Sequence, residues 1–279
     1  MQIVIALITI IFVLNLLQIL KAVFFSEKNS NYGYFKLIKK PINIGHRGAS
    51  GYYPENTMLS FKQALKMGAK GLEFDLKITS DEKVLVFHDD DTLRMTGKEI
   101  NINDVEYSQI KDLKVLEAEG EKIPLLKEVL NNLSDIPMII EIKDIGSNVI
   151  ENVAEVIQET DSQGQVLLGS FHESTINGLR EALPDVPTVA CEREAFLFYI
   201  LSHFGLAGFL NWDFEGFSIP TKHGRLPVLT PFFIAAAKAK GMGLFIWTIN
   251  NKKTMKRLIK IGVDGIMTDY PDKMKDISC

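Results

Sequence analysis

Four short stretches hold residue types that could share one reaction. "INIGHR" ends in His46 and Arg47, "GLEFDL" alternates Glu73 and Asp75 with apolar residues, "VLVFH" ends in His88, and "PMIIEIK" carries Glu141 and Lys143. Residues two apart on an extended chain point the same way, so Glu73 shares a side with Asp75 and Glu141 with Lys143. Three carboxylates converging without a cysteine make a hard, all-oxygen site suited to Mg²⁺ or Ca²⁺ rather than zinc, and such an ion can bind phosphate oxygens. Arg47 and Lys143 add the positive charge that an anionic substrate requires. His46 and His88 titrate close to neutral pH and can divide the work of base and acid. Each piece alone has a plainer reading: an exposed strand for Glu73 and Asp75, a structural histidine, a helix cap at Asn56 or Thr57, a core aromatic rather than a pocket wall for Trp247. The case rests on their convergence.

Convergence needs a frame. Apolar runs at 42–44, 71–76, 137–142, 165–170, 186–191, 216–220, 243–249 and 263–268 alternate with helical patterns such as "TMLSFKQALKMGA" and "NKKTMKRLIKIG". This order predicts parallel strands closed into a (β/α)8 TIM barrel, in which the chemistry sits at the C-terminal strand ends. There His46, Arg47, Glu73, Asp75, Glu141, Lys143, Trp247 and Asp269 reach one mouth. The runner-up, an open doubly wound sheet, would carry a GxGxxG turn after its first strand, and "GHRGASG" lacks that spacing. Residues 81–123 are too long for a simple connection and predict an extra hairpin with a small insertion after strand two, at about 89–123. Asp269, before Tyr-Pro, reads as a turn residue, and Glu55 as either a turn residue or a support for the site. His172, His203 and His223 receive no role.

The net charge of -4 gives no basic groove for nucleic acid, and Cys191 and Cys279 are too few for a disulfide framework. The first 20 residues carry no charged side chain, enough helix to cross a bilayer core. Residues 1–25 are therefore expected to form an uncleaved transmembrane anchor, 26–41 a basic juxtamembrane linker and 42–279 the barrel. Lys21, Lys28, Lys36, Lys39 and Lys40 against Glu27 place the catalytic domain in the cytoplasm by the positive-inside rule. "AFLFYILSHFGLAGFL", 195–210, has no charged side chain and is too short to span. It is either a helix buried under a neighbouring loop or a segment dipping into the membrane interface near the mouth.

The run "IGHRGASGYYPENTMLSFKQALKMGAKGLEFDLKITSDEKVLVFHDDDTLRMTG", with "IIEIK", "LFIWTIN" and "DGIMTDYP", strongly resembles the glycerophosphodiester phosphodiesterases over about residues 42–273. The resemblance implies a (β/α)8 barrel that hydrolyses a phosphodiester with one divalent cation. It places the metal on Glu73, Asp75 and Glu141, the acid/base pair on His46 and His88, and the phosphate on Arg47 and Lys143. In that family the neighbouring glycerol hydroxyl attacks phosphorus; which histidine is the base stays open. The substrate is then a glycerophosphodiester, giving sn-glycerol 3-phosphate and an alcohol, or a lysophospholipid, as in the lysophospholipase D-like branch, toward which the anchor and residues 195–210 lean. The glycines after His46 are expected to let the backbone approach a bound phosphate. One departure is Asp81-Glu82-Lys83, where the family often has Asp-Gly, which touches only the hairpin turn. A glycosidase would not call for two histidines plus Arg47 and Lys143. A non-catalytic lipid-binding module would not need the complete set.

Overall fold

The computed structural model describes residues 2–26, 31–275 and 277, so Glu27, Lys28 and Cys279 lie outside the described residues. Alternation in Gly71–Ile78 sends Leu72, Phe74 and Leu76 into the apolar layer beneath the helices and turns Glu73, Asp75 and Lys77 to the opposite face. The strands are β1 Ile42–His46, β2 Gly71–Ile78, β3 Val84–Val86, β4 Met138–Ile142, β5 Val166–Gly169, β6 Gly216–Pro220, β7 Lys222–His223, β8 Leu226–Pro227, β9 Gly243–Trp247 and β10 Gly265–Thr268. The helices are α1 Gln2–Phe24, α2 Gly33–Leu37, α3 Met58–Lys66, α4 Leu93–Thr96, α5 Tyr107–Ile110, α6 Leu126–Asn132, α7 Ser147–Glu159, α8 Glu173–Ala182, α9 Glu192–His203, α10 Pro231–Ala239, α11 Lys252–Ile261 and α12 Asp272–Lys275.

Parallel pairing runs β5-β4-β2-β1-β10-β9-β6. The ring is completed by single parallel bridges from Thr188 to Leu168 and from Val189 to Gly216. The run expected at 186–191 is thus a stave without the length of a strand, since Pro187 has no N–H to offer a ladder. Inside the ring lie Ile42, Ile44, Ile139, Leu167, Phe245 and Met267. Part of the segment read as a linker belongs to this interior. Tyr34 of α2 is 1% exposed, and its ring meets Phe245 edge-on at 6.0 Å.

The stretch after β2 forms the expected hairpin, β3 pairing antiparallel to β2. Beyond it, Phe87, Met95, Ile102, Ile110 and Leu113 build a small core of their own with Leu85. A buried polar tie fastens this insertion to the barrel. Lys77 Nζ donates to Asp144 Oδ1 at 2.9 Å and to Asp90, and Asp144 also accepts from the Ile78 amide at 2.7 Å. Burial would lower the Lys77 pKa, but these hydrogen bonds raise it. Lys77→Ala should cost about 3 kcal/mol, because Asp144 would stay buried without its cation. An unchanged denaturant midpoint would show that the tie is not structural.

Outside the ring, α1 packs along α10 in the same sense, with Gln18 at Phe232 near the start of α10 and Ser26 at Lys238 near its end. It is long and apolar enough to cross a membrane. Helix α9 turns Phe198 and Ser202 inward. Phe196, Leu197 and Ile200 on α9, and Phe204, Leu206, Phe209 and Leu210 after it, are exposed. Among the described residues no loop covers them; the buried part of 195–210, at Phe198, Ser202, Ala207 and Gly208, faces the core and α1 instead.

Candidate active site

Register assembles the site. His46 on β1 stands beside Glu73 on β2, and Asp75 stands beside Glu141 on β4. All four occupy positions that alternate with the outer apolar layer. One carboxylate oxygen from each of Glu73, Asp75 and Glu141 lies within 4.8 Å of the others. Glu73 is 4% and Asp75 1% exposed. Burial, opposed by His46 and reinforced by Asp75 and Glu141, pushes the Glu73 carboxyl up to about 7. Burial also raises Glu141, against the pull of Lys143. Hard oxygen donors crowded at this distance, whose ionised forms are disfavoured by burial and by one another's charge, suit a dication of the Mg²⁺ or Ca²⁺ kind.

Two cations flank the cluster. Arg47 Nε lies 2.9 Å from Asp75 Oδ2, and Lys143 Nζ lies 3.1 Å from Asp75 Oδ1 and also pairs with Glu141. Arg47 has φ 53°, in the left-handed region, and its amide donates to Glu73 Oε2 at 3.1 Å. Asn56 donates to Asp75 Oδ2 at 3.3 Å. The helix cap is Thr57, which accepts from the Ser60 amide at 3.1 Å. Gly48 has φ 89°, and a Cβ there would lie 2.3 Å from Ser60 Oγ. The space denied at Gly48 is therefore filled by α3, not by a ligand, and close packing of the loop on that helix is its reason for being glycine.

Both histidines are held by carboxylates. His46 Nδ1 meets Asp269 Oδ1 at 2.7 Å, while Nε2 lies 3.8 Å from Glu73 and 3.5 Å from Thr248 Oγ1. Burial lowers the His46 pKa, but Glu73 and the Asp269 hydrogen bond raise it further. Asp269 is fixed in turn by Ser50 Oγ at 2.9 Å and by Asn250. Burial raises its pKa, and the hydrogen bonds from His46, Asn250 and Ser50, with the charge of His46, together more than offset this, leaving it lowered. His88 Nδ1 meets Asp89 Oδ1 at 2.7 Å. Arg94 links Asp89 to Glu55 at 2.6 Å on each side, and Glu55 accepts from Arg47 at 3.0 Å. Burial raises Asp89, but its hydrogen bonds bring it down to about 2. A carboxylate at each Nδ1 sets the tautomer with Nε2 available.

Glu55 is thus a support for the site, and Asp269 is more than the turn residue expected. Asp89 and Arg94 received no assignment from the sequence; Asp89, following His88 directly, was the discoverable one. His223 also gains a place. It stands in the hairpin β7–β8 beside a cavity of about 450 Å³ that begins at Glu73 and Glu141 and runs between Phe171, Val189, Phe196, Tyr199, Leu226 and Trp247.

The sequence matches the glycerophosphoryl diester phosphodiesterase family over residues 46–273. It is 35% identical to YhdW of Bacillus subtilis over 82% of this chain and 94% of that one. Human lysophospholipase D GDPD1 is 29% identical over 84% of this chain and 85% of its own. Among solved structures, a phosphodiesterase of Oleispira antarctica in complex with the product sn-glycerol-3-phosphate superposes with a TM-score of 0.71 at 25% identity, over 84% of this chain and 95% of that one. From the strand end that carries His46 to the last helix, the barrel is one continuous match, and the chain belongs to the glycerophosphoryl diester phosphodiesterase family.

Proposed function

We propose that the chain hydrolyses glycerophosphodiesters to sn-glycerol 3-phosphate and an alcohol. The observation that carries this reading is the carboxylate cluster of Glu73, Asp75 and Glu141, set between Arg47 and Lys143 and flanked by two histidines that each bind a carboxylate through Nδ1. Glu73, Asp75 and Glu141 would hold one divalent cation, Mg²⁺ or Ca²⁺, which supplies Lewis-acid charge for the phosphate oxygens. Arg47 and Lys143 hold the remaining anionic charge. The glycerol 2-hydroxyl attacks phosphorus and gives its proton to Nε2 of one histidine. The other histidine donates a proton to the departing alkoxide, and water then opens the cyclic phosphate with the two roles exchanged.

The apolar cavity favours a second, narrower reading. Beside the carboxylates it offers Phe171, Phe196, Leu226 and Trp247, more apolar wall than a bare glycerophosphodiester can use. A lysophospholipid acylated at the 1-position keeps the 2-hydroxyl for attack and has one chain to lay there. We therefore place lysophospholipase D activity within the same site, on a protein attached to membrane through α1, with the catalytic domain cytoplasmic.

Purified full-length protein, assayed with glycerophosphocholine and with 1-acyl lysophosphatidylcholine, should release choline from both. Diacyl phosphatidylcholine, whose 2-hydroxyl is esterified, should stay intact. Release from neither of the first two would overturn the assignment. Leu197→Lys with Phe204→Lys should lower turnover of lysophosphatidylcholine in vesicles about tenfold, because a charge in the interface is unfavourable. Glycerophosphocholine turnover should hold, and equal losses on both would indicate a folding defect.

A further inference from the structure

Helix α1 is docked to the barrel by polar groups, an arrangement that a simple tether does not need. Gln18 is 0% exposed. Its Nε2 donates to the carbonyls of Ser202 and Phe232 at 3.3 and 3.2 Å, and its Oε1 accepts from the Gly208 amide at 3.1 Å. One turn earlier, Asn15 donates to the His203 carbonyl at 3.0 Å. One turn later, Lys21 donates to the Gly208 carbonyl at 2.9 Å. The opposing surface is notched to receive them. A Cβ on Gly205, φ 73°, would lie 2.5 Å from the Asn15 amide nitrogen, and one on Gly208 would lie 3.0 Å from Gln18 Cγ. The covered positions Ile11, Leu14, Asn15, Gln18, Lys21 and Ala22 follow a spacing of three and four, one face of the helix.

Docking fixes which way the apolar surface faces. Because α1 runs with α10, which starts beyond the C-terminal end of β6, its exposed turns Gln2–Ile10 project from the end of the barrel that holds the mouth. Those turns amount to about 14 Å of helix, less than half a hydrocarbon core of ~30 Å. A helix of this length is accommodated in lipid only if its docked turns, and the apolar faces beside them, enter too. Those faces are uncovered: Phe196 at 64% exposure and Leu197 on α9, Phe204 directly after it, and Leu226 at 60% on the hairpin. Phe196 and Leu226 also line the cavity.

We propose that Asn15, Gln18 and Lys21 lock α1 to the barrel so that the domain sits mouth-down on the bilayer, with the rim of α9 and the β7–β8 hairpin in the lipid and the cavity open to it. This rests on the membrane attachment inferred above and adds the orientation of the enzyme. The partner is a phospholipid surface, since the rim continues a predominantly apolar helix that carries no charged side chain before Lys21.

The test is fluorescence of the full-length protein in vesicles of brominated phosphatidylcholine, with a tryptophan added by Phe196→Trp or Leu226→Trp and, across the barrel on α3, by Lys62→Trp. The rim tryptophans should lose roughly half or more of their added emission, as expected for a depth of ~5–10 Å. The Lys62→Trp emission should be unchanged. Adding Gln18→Leu makes α1 more apolar, so a tether would hold at least as well; docking predicts that rim quenching falls to the Lys62→Trp level while the protein still floats with the vesicles. Gly208→Ala should act in the same direction. Rim tryptophans that escape quenching in vesicle-bound protein, or quenching that neither substitution alters, would overturn the proposal. Quenching does not depend on catalysis, so failure of the hydrolase assignment would appear separately, as absent turnover of glycerophosphocholine with the quenching pattern intact.

Discussion

Stripped of divalent cations with EDTA, the protein is expected to lose turnover of glycerophosphocholine by about 10³-fold or more, the scale of several kcal/mol of transition-state charge stabilisation, and to regain it with Mg²⁺ or Ca²⁺. The physical ground is the crowding of Glu73, Asp75 and Glu141, where Arg47 and Lys143 offset only part of the repulsion. Binding has a readout apart from catalysis. An ion at about a hundredfold excess over its Kd stabilises the native state by ~2.7 kcal/mol, roughly 5–10 °C in melting temperature for a chain of this size. Asp75→Asn should remove that response together with activity. The pH dependence has a definite sign. Glu73 is raised from an ordinary 4.5 to about 7, so between those values the metal-free native state holds a proton that the unfolded chain has released. Metal-free stability therefore falls as pH rises across that window, and a dication, which requires the ionised carboxylate, should raise the melting temperature more at pH 8 than at pH 5. Full activity in thoroughly chelated protein would end the metal reading.

Much of this site can be read along the chain because it is built from strand ends. The period of two fixes which neighbours share a face, and the barrel brings strands to one mouth, so Glu73, Asp75, Glu141 and Lys143 group without knowledge of any long-range contact. His88 is legible for the same reason, ending the hairpin strand that pairs back onto β2. What escapes is whatever depends on two distant segments meeting. Asp269 can be placed at the mouth from the order of strands but reads as a turn residue before Tyr-Pro; its bond to His46 appears only where β10 pairs with β1. Lys77 continues the inward alternation of β2 past the metal cluster, and its partners Asp90 and Asp144 come from separate loops. The basic segment before β1 reads as a solvated linker from its lysines, whereas Tyr34 and Ile38 carry it into the barrel. In α1 the apolar composition hides Gln18, whose three partners lie more than 180 residues away.

His46→Ala and His88→Ala should each lower kcat by at least ~10²-fold with the fold intact, as for loss of an acid or base. Asp269→Asn should be milder and more informative. The Asp269 carboxylate raises the His46 pKa, against the lowering effect of burial, through the 2.7 Å bond at Nδ1. Removing its charge must bring that pKa down. The stability the bond contributes is present below the ordinary histidine value of ~6.5 and lost as pH rises through the raised native value, and it is lost again as acid protonates Asp269, so Asp269→Asn should destabilise the protein most between the ordinary aspartate value of ~4 and ~6.5. In the pH profile of kcat/KM at fixed metal, one limb should move to lower pH. If His46 takes the proton from the attacking hydroxyl, it must start neutral, and the acidic limb moves, widening the active range. If it protonates the leaving alcohol, it must start charged, and the alkaline limb moves, narrowing it. The direction of change on a single substitution thus assigns base and acid between His46 and His88. A profile that keeps both limbs in place, with the loss confined to its height, would show that Asp269 only positions the imidazole.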